Sequence, residues 1–249
     1  MRMELHLALL QPTWTLEYRR MIAQWIQSSY REHSAITERE QAASCPPAMS
    51  RDFTFSVYLP QASFSTKRIT LPEQKAVVLF SCYDDAWGER FRQIFDQQLQ
   101  RDEPFVWRED GMQLQQVRVF TQPPCIGKRV CIRLRSPLLV REQHGGAGER
   151  YWSAQDGAFL PALTRIVQAQ AQQAGLSADV MGGWRVEGTE GLKRLRVFHQ
   201  GKKLNASLGT CTLCGDARLL NYLYGAGMGS RRSTGFGLFD LEREQNGRI

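Results

Sequence analysis

The order in which strand and helix patterns follow one another constrains the fold of this chain most strongly. Through residues 1–122 the patterns run strand, helix, strand, strand, helix, strand, which is the split βαβ or ferredoxin-like arrangement. Residues 33–50 are polar and contain Pro46 and Pro47, so we predict a loop or a broken helix there. Strands are predicted at residues 1–10, 53–59, 76–83 and 112–121, and helices at residues 18–31 and around Trp87, Phe91, Ile94, Phe95 and Leu99.

A similar order returns after a break at Pro123 and Pro124. Strands are predicted at residues 129–140, 180–187, 192–199, 206–211 and 236–241, and helices at residues 159–174 and 216–224. The two halves share no sequence repeat, so the duplication is one of architecture, and the same pattern also fits a generic α+β protein. We predict an N-terminal domain at residues 1–122 and a C-terminal domain at residues 123–249.

The positive charge of the chain is concentrated in its second half. Residues 123–249 carry 18 Lys and Arg against 10 Asp and Glu, a net charge of +8, whereas residues 1–122 carry 14 against 15, a net charge of −1. A basic domain beside a neutral one indicates a polyanion partner, although a merely solvated basic surface would give the same count. The mean hydropathy of −0.40 and the lack of an apolar run near the ~20 residues that span a bilayer favour a cytoplasmic protein without a membrane partner.

A glycine-rich segment at residues 225–237 indicates an anion site. Arg231 and Arg232 lie within it, and glycine amides together with guanidinium groups suit a phosphate. The segment joins a predicted helix to a predicted strand, which excludes the Rossmann and Walker loops. The alternative is a plain helix-to-strand connection with Gly225 as its C-cap. The glycines are Gly225, Gly227, Gly229, Gly235 and Gly237.

This segment and the residues 238–241 that follow it resemble the C-terminal signature of the repeat-associated RNA-binding (RAMP) superfamily of CRISPR systems. The likeness is closest to the endoribonucleases that cut CRISPR precursor RNA within its repeats. The stretch from Arg135 to Arg141, Arg-Ser-Pro-Leu-Leu-Val-Arg, looks like the Ser-Pro strand of that family, and residues 1–10 with the helix after them look like its N-terminus.

The resemblance implies two tandem ferredoxin-like (RRM-like) domains, an α+β fold. It also implies a metal-independent cleavage in which the RNA 2′-hydroxyl attacks the adjacent phosphate, giving 2′,3′-cyclic phosphate and 5′-hydroxyl ends. CRISPR repeat RNA, in the form of a hairpin, is then the expected partner, and other Cas effector subunits are an open alternative partner. We expect no cofactor and no metal. The rival hypothesis is a non-catalytic RNA-binding subunit of a CRISPR effector complex on the same fold.

Basic residues alternate along two predicted strands of the second half. Because strand side chains alternate between faces, Arg129, Arg133 and Arg135 share one face of their strand, and Arg194 and Arg196 share a face of theirs. Lys202 and Lys203 follow the second strand. These strands carry no acidic residue to balance the arginines, so we predict that the arginine-bearing face of each strand contacts an RNA backbone.

His33 is the favoured general base among the four histidines, because it follows the first predicted helix near Tyr30 and Arg31, where many family members assemble their site. In related enzymes the histidine often lies just before the strand that corresponds to residues 52–56, and residues 45–51 contain none here. Arg51 falls near the position of a supporting lysine in some relatives, so a site built from Tyr30, Arg31 and Arg51 is the alternative. His6 is expected to be a sheet-face residue. His144, beside a glycine-rich loop, is expected either to be disordered or to face RNA, and His199, at the end of a basic strand, is expected to contact RNA.

Six cysteines occur, and Cys211 and Cys214 have the spacing of a zinc-ligand pair. A structural zinc site would need a second pair or nearby histidines, so buried free thiols are the expectation. The carboxylate pairs Asp84-Asp85 and Glu109-Asp110 lie at predicted turns and are expected to be solvated.

Overall fold

A computed structural model describes residues 1–40, 52–120, 127–144 and 148–242, with the backbone alone at residues 35–40 and 144. The chain divides into two compact units, each of which is described by itself below. Unit 1 comprises Met1–Gln122 with Ser233–Gly235, and unit 2 comprises Pro123–Arg232 with Phe236–Ile249.

Unit 1 is built on one antiparallel sheet. Its four long strands are β1 (Arg2–Leu9), β3 (Phe53–Tyr58), β6 (Lys75–Cys82) and β8 (Asp110–Phe120), and the edge strand β7 is Phe105–Trp107. The sheet order is β3-β6-β1-β8-β7. The two strands that are joined through the first helix, β1 and β3, therefore have β6 between them, which defines the split βαβ arrangement.

Two helices cover one face of this sheet. Helix α1 spans Tyr18–Glu40, and helix α2 spans Asp85–Arg101. The Asp84 carboxylate caps α2 by accepting from the Trp87 N–H at 2.8 Å, and the helix ends at Asp102 in the left-handed conformation. Phe80 of the sheet contacts Phe91 of α2 at 4.8 Å between ring centroids, so an aromatic cluster forms the centre of the core.

The prediction that residues 33–50 form a loop or a broken helix is wrong for residues 33–40, which continue α1 to Glu40. Polar composition was misleading because these residues lie on a helix that buries only one stripe, and Ser34 on that stripe is buried. Residues 41–51 lie outside the described part of the chain. The short strands of a small second sheet were also not predicted; they are β2 (Thr13–Thr15), β4 (Ser63–Phe64) and β5 (Arg68–Thr70), in the order β2-β5-β4.

Unit 2 repeats the arrangement. Strands β9 (Arg129–Leu134), β12 (Arg185–Glu187), β14 (Lys202–Cys214) and β15 (Phe239–Leu241) form a sheet in the order β12-β14-β9-β15. Helices α3 (Phe159–Gln173) and α4 (Ala217–Ala226) contribute to its core. Both sheets thus have the ferredoxin-like strand order, and the predicted fold class is confirmed.

Two antiparallel hairpins extend unit 2 beyond the basic fold. Strands β10 (Val140–His144) and β11 (Gly148–Trp152) pair with each other, and strand β13 (Leu192–His199) pairs with the first part of the long strand β14. We call the β13–β14 pair the ribbon. Leu139 and Phe236 pack with Val197, Leu204 and Ala206 of the ribbon in a small separate core.

Several predicted strand bounds in unit 2 change. The predicted strand at residues 129–140 stops at Leu134, because Ser136 and Pro137 break it. The predicted strand at residues 180–187 is shorter than expected. A 3-10 turn at Ala178–Met181 occupies its first two residues, and only Arg185–Glu187 is extended. In the part of the chain that the structure describes, no helix has both the length and the apolar character needed to cross a membrane.

Candidate nucleic-acid interface

The glycine-rich segment begins at the C-terminal end of α4. Gly227, with φ of 79°, is the C-cap, and its N–H donates to the Leu223 carbonyl at 2.8 Å. Gly225, which the sequence suggested as the cap, lies one residue inside the helix. The alternative that made Gly225 the C-cap therefore placed the cap two residues too early.

The amides of this segment are used inside unit 2. An amide that donates to a protein oxygen cannot donate to a phosphate in the same conformation. The N–H groups of Gly227, Gly229 and Gly237 are therefore not available to an anion in this conformation, and RNA contact by the five glycines stays a prediction. The N–H groups of Met228, Gly229, Ser230 and Gly237 donate to Gly237 O, Gln170 Oε1, Leu139 O and Pro137 O at 2.8–3.0 Å.

Close packing explains two of the glycines. At Gly237, where φ is +75°, a Cβ atom would lie 1.8 Å from the Met228 carbonyl oxygen. At Gly229, where φ is +93°, it would lie 2.5 Å from Leu138 Cδ1. Both positions need glycine for its left-handed conformation and for its missing side chain. The segment is thus a tightly packed connection.

The two arginines of the segment have different environments. Arg232 is 7% exposed, and its Nη1 donates to the Tyr222 hydroxyl at 3.1 Å and to the Ala226 carbonyl at 3.2 Å. It therefore satisfies the C-terminal end of α4. RNA contact by Arg232 stays a prediction, but its guanidinium is buried against α4 in this conformation.

Arg231 instead reaches the β10–β11 hairpin. Its backbone is left-handed, with φ of 59°, and its side chain is 22% exposed. Its Nε donates to the Tyr151 hydroxyl at 2.9 Å, and its Nη2 lies 3.2 Å from Glu149 Oε2. The guanidinium is therefore held at the edge of the groove described next.

An open groove of about 580 Å³ separates the β10–β11 hairpin from the ribbon. Arg196, Lys202 and Lys203 line it from the ribbon side, and all three are exposed. Within the described residues, none of these three cations has a carboxylate partner. Tyr151 and Glu149 line the opposite side. Unneutralised cations beside an aromatic ring are the combination that binds the backbone and bases of single-stranded RNA.

The arginines of the sheet face behave differently from the cations of the groove. Arg129 lies 3.3 Å from Glu187, Arg135 lies 3.3 Å from Asp240, and Arg133 is paired with Glu242. The expectation of a face without acidic residues is wrong, because the carboxylates come from β12, β15 and the residue after β15. RNA contact by these three arginines stays a prediction, but their charge is largely balanced.

Arg194 is also paired. Its guanidinium donates to Asp156 at 2.6 Å and to the Ser153 hydroxyl at 2.7 Å. It lines a second groove of about 470 Å³ together with Arg133 and Lys193. Of the five strand arginines predicted to bind RNA, Arg196 is the one that lines the groove with unpaired cations.

Glu149 and Tyr151 form the polar side of that groove. Hydrogen bonding from the Tyr151 hydroxyl, and then from Arg141, lowers the pKa of Glu149, so this carboxylate is ionised at neutral pH. Partial burial, and then the hydrogen bond to Glu149, raises the pKa of Tyr151. Sequence reasoning missed both residues. Their alternation along residues 148–152, among basic residues, is the signal that could have indicated them.

His33 lies within α1, so the expectation that it follows the helix is wrong. Its Nδ1 is 2.8 Å from Gln97 Oε1 of α2. With the amide oxygen as acceptor, Nδ1 carries the proton and the basic lone pair of the ring is on Nε2. Neighbouring Tyr30 is buried against Trp87, Arg31 is exposed, and Arg51 lies outside the described residues.

Two further histidines and two cysteines of the described residues have structural environments. His6 is on β1, where its Nε2 lies 3.5 Å from Glu4 Oε2, and His199 is buried edge-on to Phe236. The side chain of His144 lies outside the described residues. Cys211 and Cys214 are buried free thiols. In the described ranges, no group of three or more His, Cys, Asp or Glu side chains is arranged to hold a metal ion.

Comparison with known proteins gives one family and several structures. Residues 120–241 match the family model described as CRISPR associated protein Cas6, C-terminal. A Cas6-related protein from Pyrococcus furiosus has a TM-score of 0.79 at 18% identity, over 98% of this chain and 99% of that one. A RAMP protein that binds different RNA substrates has a TM-score of 0.77 at 17% identity, over 98% and 100%. A Cas6 product complex has a TM-score of 0.65 at 14% identity, over 97% and 99%. No curated protein matches the chain.

Proposed function

Residues 120–241 of this chain belong to the C-terminal family of CRISPR-associated Cas6 proteins, and from this premise we propose that the protein is an endoribonuclease that cleaves CRISPR precursor RNA within its repeats. The proposed domains are residues 1–122 and 123–249. The observation that carries the RNA-binding part is the groove of unit 2, where Arg196, Lys202 and Lys203 lie beside Tyr151 and Arg231. The resemblance of the whole fold to Cas6 structures supports the same class of substrate.

The proposed reaction is transesterification within the RNA. A base removes the proton of a 2′-hydroxyl, O2′ forms a bond to the adjacent phosphorus, and the bond from phosphorus to O5′ breaks. The proton passes to O5′, so the products carry 2′,3′-cyclic phosphate and 5′-hydroxyl ends. No metal is required, because cationic side chains can stabilise the charge that develops on the phosphate oxygens.

His33 is the proposed general base. The hydrogen bond between His33 Nδ1 and Gln97 Oε1 supports this role, since it orients the ring and directs its basic nitrogen away from Gln97. Arg31 is exposed on the same helix and is the proposed cationic neighbour. A site that uses Tyr30, Arg31 and Arg51 without His33 is the alternative.

Single-turnover cleavage of a cognate repeat RNA in EDTA tests this proposal. We expect His33→Ala to slow cleavage by about 10²–10⁴-fold, with RNA affinity nearly unchanged. Gln97→Leu, which removes only the acceptor of Nδ1, should slow cleavage less than His33→Ala does. His6→Ala is the matched control, since it removes a histidine from β1 of the same unit, and it should cleave at the wild-type rate.

A repeat RNA with a 2′-deoxy sugar at the scissile nucleotide should bind and remain uncut, because the nucleophile is missing. Normal cleavage by His33→Ala, combined with loss of cleavage on substitution of Tyr30, Arg31 or Arg51, would move the catalytic site while retaining the nuclease. Tight binding by wild-type protein that never cuts any repeat RNA would favour the non-catalytic subunit instead.

A further inference from the structure

The groove between the β10–β11 hairpin and the ribbon contains one feature that does not suit RNA. Among its described lining residues Glu149 is the single acidic one, and its side chain is 37% exposed. An ionised carboxylate repels the phosphates that Arg196, Lys202 and Lys203 would attract. A carboxylate at this position in an RNA-binding groove therefore calls for a role in the groove.

The partners of Glu149 are the kind of donors that bind a phosphate. Its Oε1 accepts from Arg141 Nη1 at 2.8 Å, and its Oε2 accepts from the Tyr151 hydroxyl at 2.8 Å and lies 3.2 Å from Arg231 Nη2. Two guanidinium groups and a hydroxyl converge on one anion. Guanidinium groups bind carboxylate and phosphate oxygens with the same paired geometry. The three donors would therefore accept a phosphodiester in place of the carboxylate.

We infer that Glu149 occupies the position of an RNA phosphate in the free protein, and that RNA binds in this groove by displacing it. The inference rests on the proposed function, because it describes how the same RNA-binding groove is regulated. The class of ligand is the phosphodiester backbone of a single-stranded RNA segment. Arg141, Arg231 and Tyr151 exchange one anion for another, so all three stay satisfied in both states.

The exposure of the Arg141 and Glu149 side chains makes the exchange of carboxylate for phosphate feasible. An ion pair as exposed as that of Glu149 with Arg141 contributes little, since solvent screens it. An RNA strand brings several phosphates at once, so its gain at Arg196, Lys202 and Lys203 offsets the loss of the internal pair. Short anions that reach only Arg231 have no such compensation. The carboxylate therefore selects against isolated anions and in favour of a polymer.

Fluorescence anisotropy with Glu149→Gln tests the inference, because this change removes the charge and preserves the shape. The probes are a cognate repeat RNA and a 20-nucleotide polyuridylate. We expect Glu149→Gln to bind both about three- to fivefold more tightly at 0.1 M salt, the scale of one exposed ion pair. The slope of log affinity against log salt should become steeper by up to about 0.7, the value for one contact to a single strand. Glu149→Ala must change affinity in the same direction, and thermal melting checks that each variant is folded.

Glu187→Gln is the matched control. Glu187 also pairs with two arginines, Arg129 and Arg185, but it lies on the sheet face and does not line the groove. Its loss changes the net charge by the same amount and should leave affinity near the wild-type value. An equal gain in Glu187→Gln would reduce the effect to net charge and overturn the inference.

A double variant separates displacement from simple repulsion. If RNA takes the place of Glu149 at Arg231, the gain from Glu149→Gln should be largely lost in an Arg231→Ala background. A gain in affinity that persists in the Arg231→Ala background would indicate that Glu149 repels RNA at a distance. Unchanged or weaker binding by Glu149→Gln alone would indicate that the carboxylate holds the binding site in its structure. Either result rejects displacement.

The outcomes also distinguish this inference from the proposed function. Cleavage by wild-type protein without a gain in Glu149→Gln rejects only the displacement. A gain that depends on Arg231 in a protein that never cleaves rejects only the nuclease. If neither the wild-type protein nor any variant binds either RNA, the displacement of Glu149 and the proposed nuclease function are both rejected.

Discussion

At the scale of single residues, steric contact at Gly237 fixes the glycine-rich segment. We expect Gly237→Ala to destabilise unit 2 by at least about 3 kcal/mol, because its Cβ would lie 1.8 Å from the Met228 carbonyl oxygen. Gly175→Ala is the control, since φ is +74° there and no atom lies within 4 Å of the added Cβ. It should cost about 1–2 kcal/mol, the strain of a left-handed alanine alone. Urea unfolding measures both, and equal losses would refute the packing argument.

Arg231 and Arg232 are neighbours with separable roles. Arg231→Ala should lower RNA affinity by about tenfold, the scale of one charge-assisted contact, with little change in stability. Arg232→Ala should instead destabilise the fold by about 1–3 kcal/mol, because the Ala226 carbonyl and the Tyr222 hydroxyl lose a buried donor. Anisotropy and urea unfolding on both variants check the division. A reversal of the two phenotypes would contradict the assignment of Arg231 to the groove.

At the scale of elements, the ribbon and the sheet face should differ in how they contribute to binding. Arg196→Gln and Lys203→Gln should each weaken RNA binding and reduce the salt slope by about 0.7, because each removes an unneutralised cation. Arg129→Gln and Arg133→Gln are matched controls on strand β9, where carboxylates already balance the charge. They should have smaller effects. If the β9 variants weakened binding as much as the ribbon variants did, the sheet face would again be the expected main RNA contact.

The elements also show what the sequence could and could not predict. Period-two and helical patterns located β1, β3, β6, β8 and both helices of unit 1, because each buries one face of itself in a core. The end of α1 was misjudged because its last turns are polar, and no glycine or proline stops the helix before Glu40. Short strands such as β4 and β12 have too few residues to show alternation.

The site was harder to predict than the fold. Arg196 and Arg231 could be selected from the sequence, since both lie in basic or glycine-rich stretches. The neutralisation of Arg129, Arg133 and Arg135 could not, because Glu187, Asp240 and Glu242 come from other strands that lie beside β9 only in the folded sheet. The burial of Arg232 was equally hidden, because its guanidinium contacts the Tyr222 hydroxyl on α4 only in the folded chain.

At the scale of the whole molecule, the net charge of +8 in residues 123–249 predicts salt-sensitive binding. Four cations, Arg196, Lys202, Lys203 and Arg231, lie in or beside the groove. Neutralising four phosphates of a single strand gives a slope of log affinity against log salt of about −3. A titration between 50 and 400 mM salt, about a threefold range on either side of physiological strength, checks this value. A slope near zero would contradict an electrostatic interface of any kind.

The contrast between the balanced sheet face and the unneutralised ribbon also affects how fast RNA arrives. Because Arg196, Lys202 and Lys203 lie together on the ribbon without a carboxylate partner among the described residues, they strengthen the electric field on that side for an approaching strand. Such a field raises the rate of encounter and orients the incoming strand before contact. Displacement of Glu149 happens only after that encounter, so the lysines would set the association rate, whereas Glu149 would set the lifetime of the complex.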